Sequence, residues 1–107
     1  MINFDIMDDK QFFRYYIPAL EIAMNFEENI PFNVKGPDWF VDDNKLRREL
    51  DLFEQNNFDR YEQFFQMVAL YFDAWDHNFN EIDGVSLSDH KKKLEAEIEI
   101  YKKKFSL

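Results

Sequence analysis

A chain of 107 residues that is 46% hydrophobic, 19% aromatic and formally charged to -9 holds apolar material for one core under a strongly negative surface. The length fits a single helical domain over 1–107, and the aromatic content excludes the acidic, aromatic-poor class of disordered chains. The absence of cysteine excludes a disulfide framework, a thiolate zinc site and a thiol nucleophile.

The charge is uneven. Residues 1–83 carry 18 acidic and 7 basic side chains, a net of -11, whereas residues 84–107 carry 4 acidic and 6 basic, a net of +2. Direct contact with nucleic acid is not expected, because neutralising phosphates needs clustered Lys and Arg. Lys91-Lys92-Lys93 and Lys102-Lys103-Lys104 are interleaved with Glu95, Glu97 and Glu99, which reads as a solvated helix face with cations near a helix C-terminus. The stretch Met1 to Asp9 has neither the basic start nor the long apolar run of a secretory signal. The longest apolar run, Met67 to Phe72, falls far short of the ~20 residues of a membrane span. The expectation is a soluble, cytoplasmic protein that does not engage a membrane.

In chain order, Asp8 or Asp9 caps a helix carrying Phe12, Phe13, Tyr16, Leu20, Ala23 and Met24. Pro18 lies inside it, and a proline there removes a hydrogen bond and crowds the preceding turn. The spacing therefore predicts either a kink or two short helices over 9–16 and 18–28. Residues 29–40, with Pro31, Gly36 and Pro37, read as the long connection, with Trp39 and Phe40 folding back on the core. Leu46, Leu50 and Phe53 mark a helix over 42–55, started by Asp42 or Asp43 and ended at Asn56-Asn57. The short loop after it predicts an antiparallel neighbour.

That neighbour is a helix over 59–77, capped by Asp59 with Glu62 at the capping-box position. Tyr61, Phe64, Phe65, Val68, Phe72 and Trp75 line one side, and Met67, Leu70, Tyr71 and Ala74 fill much of the rest. A helix apolar on most of its circumference is expected at the centre of a bundle. Gly84 ends that element, and Ser86 with Asp89 starts a last helix over 87–105, striped by Leu87, Leu94, Ile98, Tyr101 and Phe105. No alternating strand of convincing length is present. The fold class read from these elements is all-α, a bundle of four to five helices.

Catalytic chemistry finds little support. Ser86, Ser88 and Ser106 are the only serines, there is no threonine, and Gly36 and Gly84 are the only glycines, so neither a nucleophile elbow nor a phosphate loop can form. Asp73, Asp76 and His77 share one helical turn, but no second ligand pair at helical spacing accompanies them, and His77 reads as a helix-end residue. Asp76, Asn78 and Asn80 match the first ligand positions of an EF-hand, but Glu81 stands where glycine is needed and Leu87 where the bidentate Glu is needed. The reading is a non-enzyme without cofactor, metal or small-molecule ligand.

What remains is electrostatic. Asp73, Asp76, Glu81 and Asp83 form an acidic strip at the end of the central helix, and Asp38, Asp42 and Asp43 form another before the third. On one side of a bundle the two strips would repel nucleic acid and attract a basic protein cleft. Trp39, Phe40 or Trp75 would then serve as anchors.

The run Phe64 to Asp73, the acidic loop through Glu81-Ile82-Asp83 and the final helix from Lys93-Leu94-Glu95 to Phe105 resemble the end of colicin D-type immunity proteins. More broadly the chain resembles the small acidic helical immunity proteins of bacteriocin and contact-dependent inhibition systems. The likeness covers roughly the last 45–50 residues, a helix–loop–helix unit. It implies a protein that neutralises a cognate toxin domain, often a nuclease, by stoichiometric occlusion of its positively charged active site. It carries over a role for the acidic loop alone. Two other readings stay open: a phage-type acidic inhibitor such as a DNA-mimic anti-CRISPR, and a helical adaptor.

Overall fold

The computed structural model describes residues 7–25, 37–76 and 81–107, and for Asp38, Trp39, Trp75 and Asp76 the backbone alone. Helix α1 (Asp9–Met24) starts at a reciprocal capping box. The Asp8 carboxylate accepts the Gln11 N–H at 2.8 Å, and the Gln11 side chain accepts the Asp8 N–H at 3.1 Å. Two otherwise orphaned N–H groups are thereby satisfied. The helix then runs unbroken through Pro18 to Met24, where the sequence predicts a kink or a break. Pro18 is on the exposed side, while Phe12, Phe13, Tyr16, Ile17, Ala19, Leu20, Ala23 and Met24 are buried. Packing of that apolar face outweighs the ~3 kcal/mol that an interior proline costs, and water can serve the carbonyl that loses its donor. The predicted extension to 28 lies outside the described residues.

A 3-10 turn (Pro37–Phe40) packs chiefly against α1, and Phe40 lies partly buried against the core. Helix α2 (Asn44–Asn56) begins two residues later than predicted. Asp43 caps it, its Oδ1 accepting the Lys45 and Leu46 N–H groups at 2.9 and 3.2 Å. The Arg47 guanidinium donates to the Val41 carbonyl at 2.6 and 3.2 Å and pins the chain just upstream.

Residues Phe58–Tyr61 form a second 3-10 turn, and α3 is the shorter helix Glu62–Asp76. Asp59 is thus inside the turn rather than a helix cap. The second 3-10 turn also changes the packing. The main contacts of α2 are with α1 and the two 3-10 turns, not the antiparallel pairing with α3 that a short loop suggests. After α3 comes a small antiparallel hairpin, β1 (Glu81–Ile82) and β2 (Val85–Ser86), in the register Glu81 to Ser86 and Ile82 to Val85. Helix α4 (Leu87–Phe105) follows directly, with Ser86 Oγ accepting the Asp89 N–H at 3.1 Å. The class is all-α: among the described residues, four helices with a minimal hairpin.

The core is continuous. Phe65, Val68 and Phe72 of α3 join Leu94 and Ile98 of α4 in one cluster, with Tyr101 packed against it. The central role assigned to α3 is shared, however. Leu70 is 48% exposed, whereas Phe12, Phe13 and Leu20 of α1 are wholly buried. Phe12 stacks on Phe53 with ring centroids 4.2 Å apart, and Phe13 meets Phe64 at 5.8 Å, Tyr101 at 5.0 Å and Phe105 at 5.1 Å. These contacts, with Tyr71 reaching the Met24 carbonyl, set α1 parallel to α3 and antiparallel to α4.

At the N-terminal end of α1, the Asp9 carboxylate accepts from the Tyr61 hydroxyl and from both terminal nitrogens of Arg60, at 3.2 and 2.5 Å. Burial first, and the Asp9 carboxylate second, push the Tyr61 phenol up to about 12 from 10.0.

Phe12→Ala should lower unfolding free energy by about 3–5 kcal/mol, the usual loss for a buried Phe, whereas Leu70→Ala should stay within about 0.5 kcal/mol; urea denaturation measures both. A phenol whose folded pKa is raised contributes stability that is fully present below its unfolded pKa and is lost as pH rises through the folded one. Stability should therefore fall between about pH 10 and pH 12. Tyr61→Phe should flatten that slope in denaturation curves collected across the window.

Candidate functional site

The acidic residues singled out by sequence divide into two groups. Asp73 is exposed in the last turn of α3, and Glu81 and Asp83 are exposed on the hairpin that packs beside it. These three stand at one corner. The backbone of Asp76 closes α3 at the same corner, while the side chains of Asp76 and Trp39 lie outside the described residues. Asp42 and Asp43 precede α2, and none of the principal packing contacts brings α2 to the α3–hairpin corner. Asp43 is occupied as a helix cap.

The hairpin gives the corner its shape. Asp83 and Gly84 form its two-residue loop, both with left-handed backbone, φ 52 and 81. That is the pattern of a tight turn matched to strand twist, for which Asp-Gly is a preferred sequence. Asp83 is consequently held at a tip rather than on a loose loop. Helix α4 braces the turn from behind, with His90 Nε2 3.2 Å from the Ile82 carbonyl. The Asp83-Gly84 pair was the sequence signal for this hairpin; Gly84 read instead as a helix stop.

A second acidic feature was not singled out from sequence. Glu21 of α1, the α1 C-cap Asn25, and Glu95 and Glu99 of α4 line a cavity of about 110 Å³ together with Met24 and Ile98. Lys102 pairs with two of these carboxylates, its ammonium 2.8 Å from Glu21 and 3.4 Å from Glu99. The Glu21 hydrogen bond is the largest reason that the Lys102 pKa is raised. Lys91 reaches the Asn25 side chain at 3.2 Å. Burial, followed by the nearby Glu95 charge, raises the pKa of Tyr71. Linear sequence hid this notch because Glu95 and Glu99 read as a solvated face and Glu21 belongs to another helix.

The helix ends carry a pattern of their own. The last turns of α1, α2 and α3 contain Glu21, Glu54 and the pair Asp73 and Asp76, with no basic residue, whereas the last turn of α4 contains Lys102, Lys103 and Lys104. A helix C-terminus is already the negative end of the backbone dipole, so an added carboxylate there is unfavourable by about 0.3–1 kcal/mol. Tyr16 hydroxyl donates to Glu54 at 3.3 Å and Lys102 answers Glu21.

Among the described residues no group of three His, Asp or Glu side chains is placed to hold a metal ion, and no helix is long and apolar enough to cross a membrane. His77 and the residues Asn78 to Asn80 lie outside the described residues. No protein-family model matches this chain, and no curated protein or solved structure matches it either.

Gly84→Ala should cost about 1–2 kcal/mol of hairpin stability, the penalty of a Cβ in left-handed backbone. A Cβ there meets nothing within 4 Å, so the loss is conformational rather than steric. Faster amide hydrogen exchange across β1 and β2, with α4 protection unchanged, is the expected readout.

Proposed function

We propose that this chain is a non-catalytic binding protein that neutralises a basic protein partner, in the manner of the immunity proteins its C-terminal half resembles. The partner is a toxin domain with a cationic active site, of which a nuclease is the leading example, and the action is stoichiometric occlusion. The observation that carries the reading is the placement of Asp73 and Asp76 at the C-terminal end of α3, beside Glu81 and Asp83 on a braced turn. The exposed Asp73 adds its charge to the negative end of the α3 dipole, which supports a surface suited to a basic partner. Charge complementarity of this kind raises the association rate and selects the partner.

The chemistry of the remaining polar groups supports a non-enzymatic role. Ser86 caps α4, Ser106 sits in the left-handed C-cap, and His90 faces a backbone carbonyl.

The triple reversal Asp73→Lys, Glu81→Lys and Asp83→Lys should leave helix content unchanged, since all three are exposed. Co-expressed with the product of an adjacent toxin-like gene, wild type should protect the host and the reversal should not. Purified, the reversal should slow association at low salt by at least about tenfold. Protection that survives the reversal removes this corner as the recognition surface, and a wild type that never protects overturns the immunity reading.

A further inference from the structure

Large apolar side chains stand exposed on several helices, and their charged surroundings differ. Ile100 of α4 is 53% exposed, with Lys103 and Lys104 one turn on, and Leu52 of α2 is 56% exposed, with Arg48 one turn back. Leu70 of α3 is 48% exposed, with Gln66 and Met67 one turn back and Asp73 one turn on. Residues three and four apart on a helix are surface neighbours, so Leu70 adjoins the acidic corner through Asp73. Helix α3 contains no Lys or Arg. Residues 63–72 are also the longest uncharged run of the chain. The solvent-facing positions of that run share its lack of charge: Gln63, Gln66, Ala69 and Leu70 are exposed and Met67 is half-buried. The core does not claim this side of the helix, since Phe64, Phe65, Val68 and Phe72 are buried on the other.

We propose that the outward side of α3 around Leu70, with Met67 and Ala69, is the apolar centre of the surface that holds the basic protein partner, and that Asp73, Glu81 and Asp83 are its charged rim. The assignment rests on the binding function proposed above and adds the contact that keeps the complex together once charge has assembled it. A charge-depleted centre beside a charged rim is the ordinary anatomy of a protein interface. Charge complementarity selects this helix over the others. A cationic partner is repelled by the lysines beside Ile100 and by Arg48 beside Leu52, whereas the charged side chains of α3 are carboxylates alone. A second copy of this chain would bring a further -9 to the contact, which favours a cationic partner over self-association. Rim carboxylates act mainly on the association rate, and burial of Leu70 acts on dissociation.

The purified product of the adjacent toxin-like gene is the probe, with association and dissociation on the full chain followed by surface plasmon resonance. Leu70→Ala should speed dissociation at least about tenfold and leave the association rate within about twofold of wild type. Leu70→Arg, which sets a cation against a cationic partner, should weaken binding at least about a hundredfold. Leu52→Ala and Ile100→Ala, comparably exposed changes on other helices, should bind as wild type does. An unchanged circular dichroism spectrum and urea midpoint in Leu70→Ala assign its loss to the contact rather than to the fold. Wild-type dissociation in Leu70→Ala, with wild type itself binding, overturns this surface and leaves the immunity reading standing. A wild type that does not bind overturns both. An equal loss in Leu52→Ala or Ile100→Ala overturns the assignment to α3. So would dimerisation of the isolated chain that Leu70→Ala abolishes, which would give this face to a second copy.

Discussion

Phe12 and Phe13 stand where all four helices meet. Phe12 stacks on Phe53 of α2 at 4.2 Å and meets the edge of Phe65 of α3 at 6.0 Å, while Phe13 contacts Phe64 of α3 and stacks on Phe105 of α4 at 5.1 Å. Adjacent residues on a helix diverge by about a hundred degrees, so one dipeptide reaches both flanks of α1. Aromatic pairs add about 0.5–1.5 kcal/mol each beyond area burial. Their sum explains how α1 stays helical across Pro18. That continuity carries Glu21 to a position opposite Lys102, and the resulting ion pair lies between two cavities of the α1–α4 seam.

Stability and surface charge are organised by different rules. Helix α4 follows the dipole rule at both ends, with Asp89 in its first turn and three lysines in its last. Helices α1, α2 and α3 break it at their C-termini. The core does not depend on these charges, since no charged residue is buried among the described residues. Surface ion pairs such as Lys45–Glu49, at 4.0 Å, contribute little in water. A chain whose fold rests on aromatic packing is free to keep an unfavourable negative field on its surface, and α4 shows that the opposite arrangement was accessible to it.

Helical periodicity made much of the fold legible. The bounds of α4 and the shared core of Phe65, Val68, Phe72, Leu94 and Ile98 follow from stripes spaced three and four residues apart, because such stripes must find a partner face. Pro18 misled because local propensity is a weak prior against eight buried side chains on one helix. Asp59 misled because its sequence context fits a cap, while the tight link from α2 draws it into a 3-10 turn. The hairpin was legible in Asp83-Gly84, but two-residue strands have no room for alternation to show. Of the acidic site, the corner of Asp73, Glu81 and Asp83 was readable since those residues are close in sequence. The notch was not, since Glu21 lies more than seventy residues from Glu95 and only the packing of α1 on α4 joins them.

The physical form of the acidic corner bears on how a partner would be held. A carboxylate on a flexible loop must be ordered on binding, and that ordering subtracts from affinity. Asp83 is already fixed by the left-handed turn, the paired strands and the His90 contact behind them. Lys91, Lys92 and Lys93 begin one residue after His90, and Lys91 is drawn toward α1 through Asn25. On the proposed reading, a basic partner approaching the corner would meet attraction on the Asp73–Asp83 side and repulsion from Lys92 and Lys93 in the first turns of α4. An abrupt change of sign beside a rigid tip fixes orientation as well as attraction, because a partner rotated about the tip would place its cations against lysine. The lysine cluster, read alone as a solvated face, in this setting marks the edge of the proposed interface.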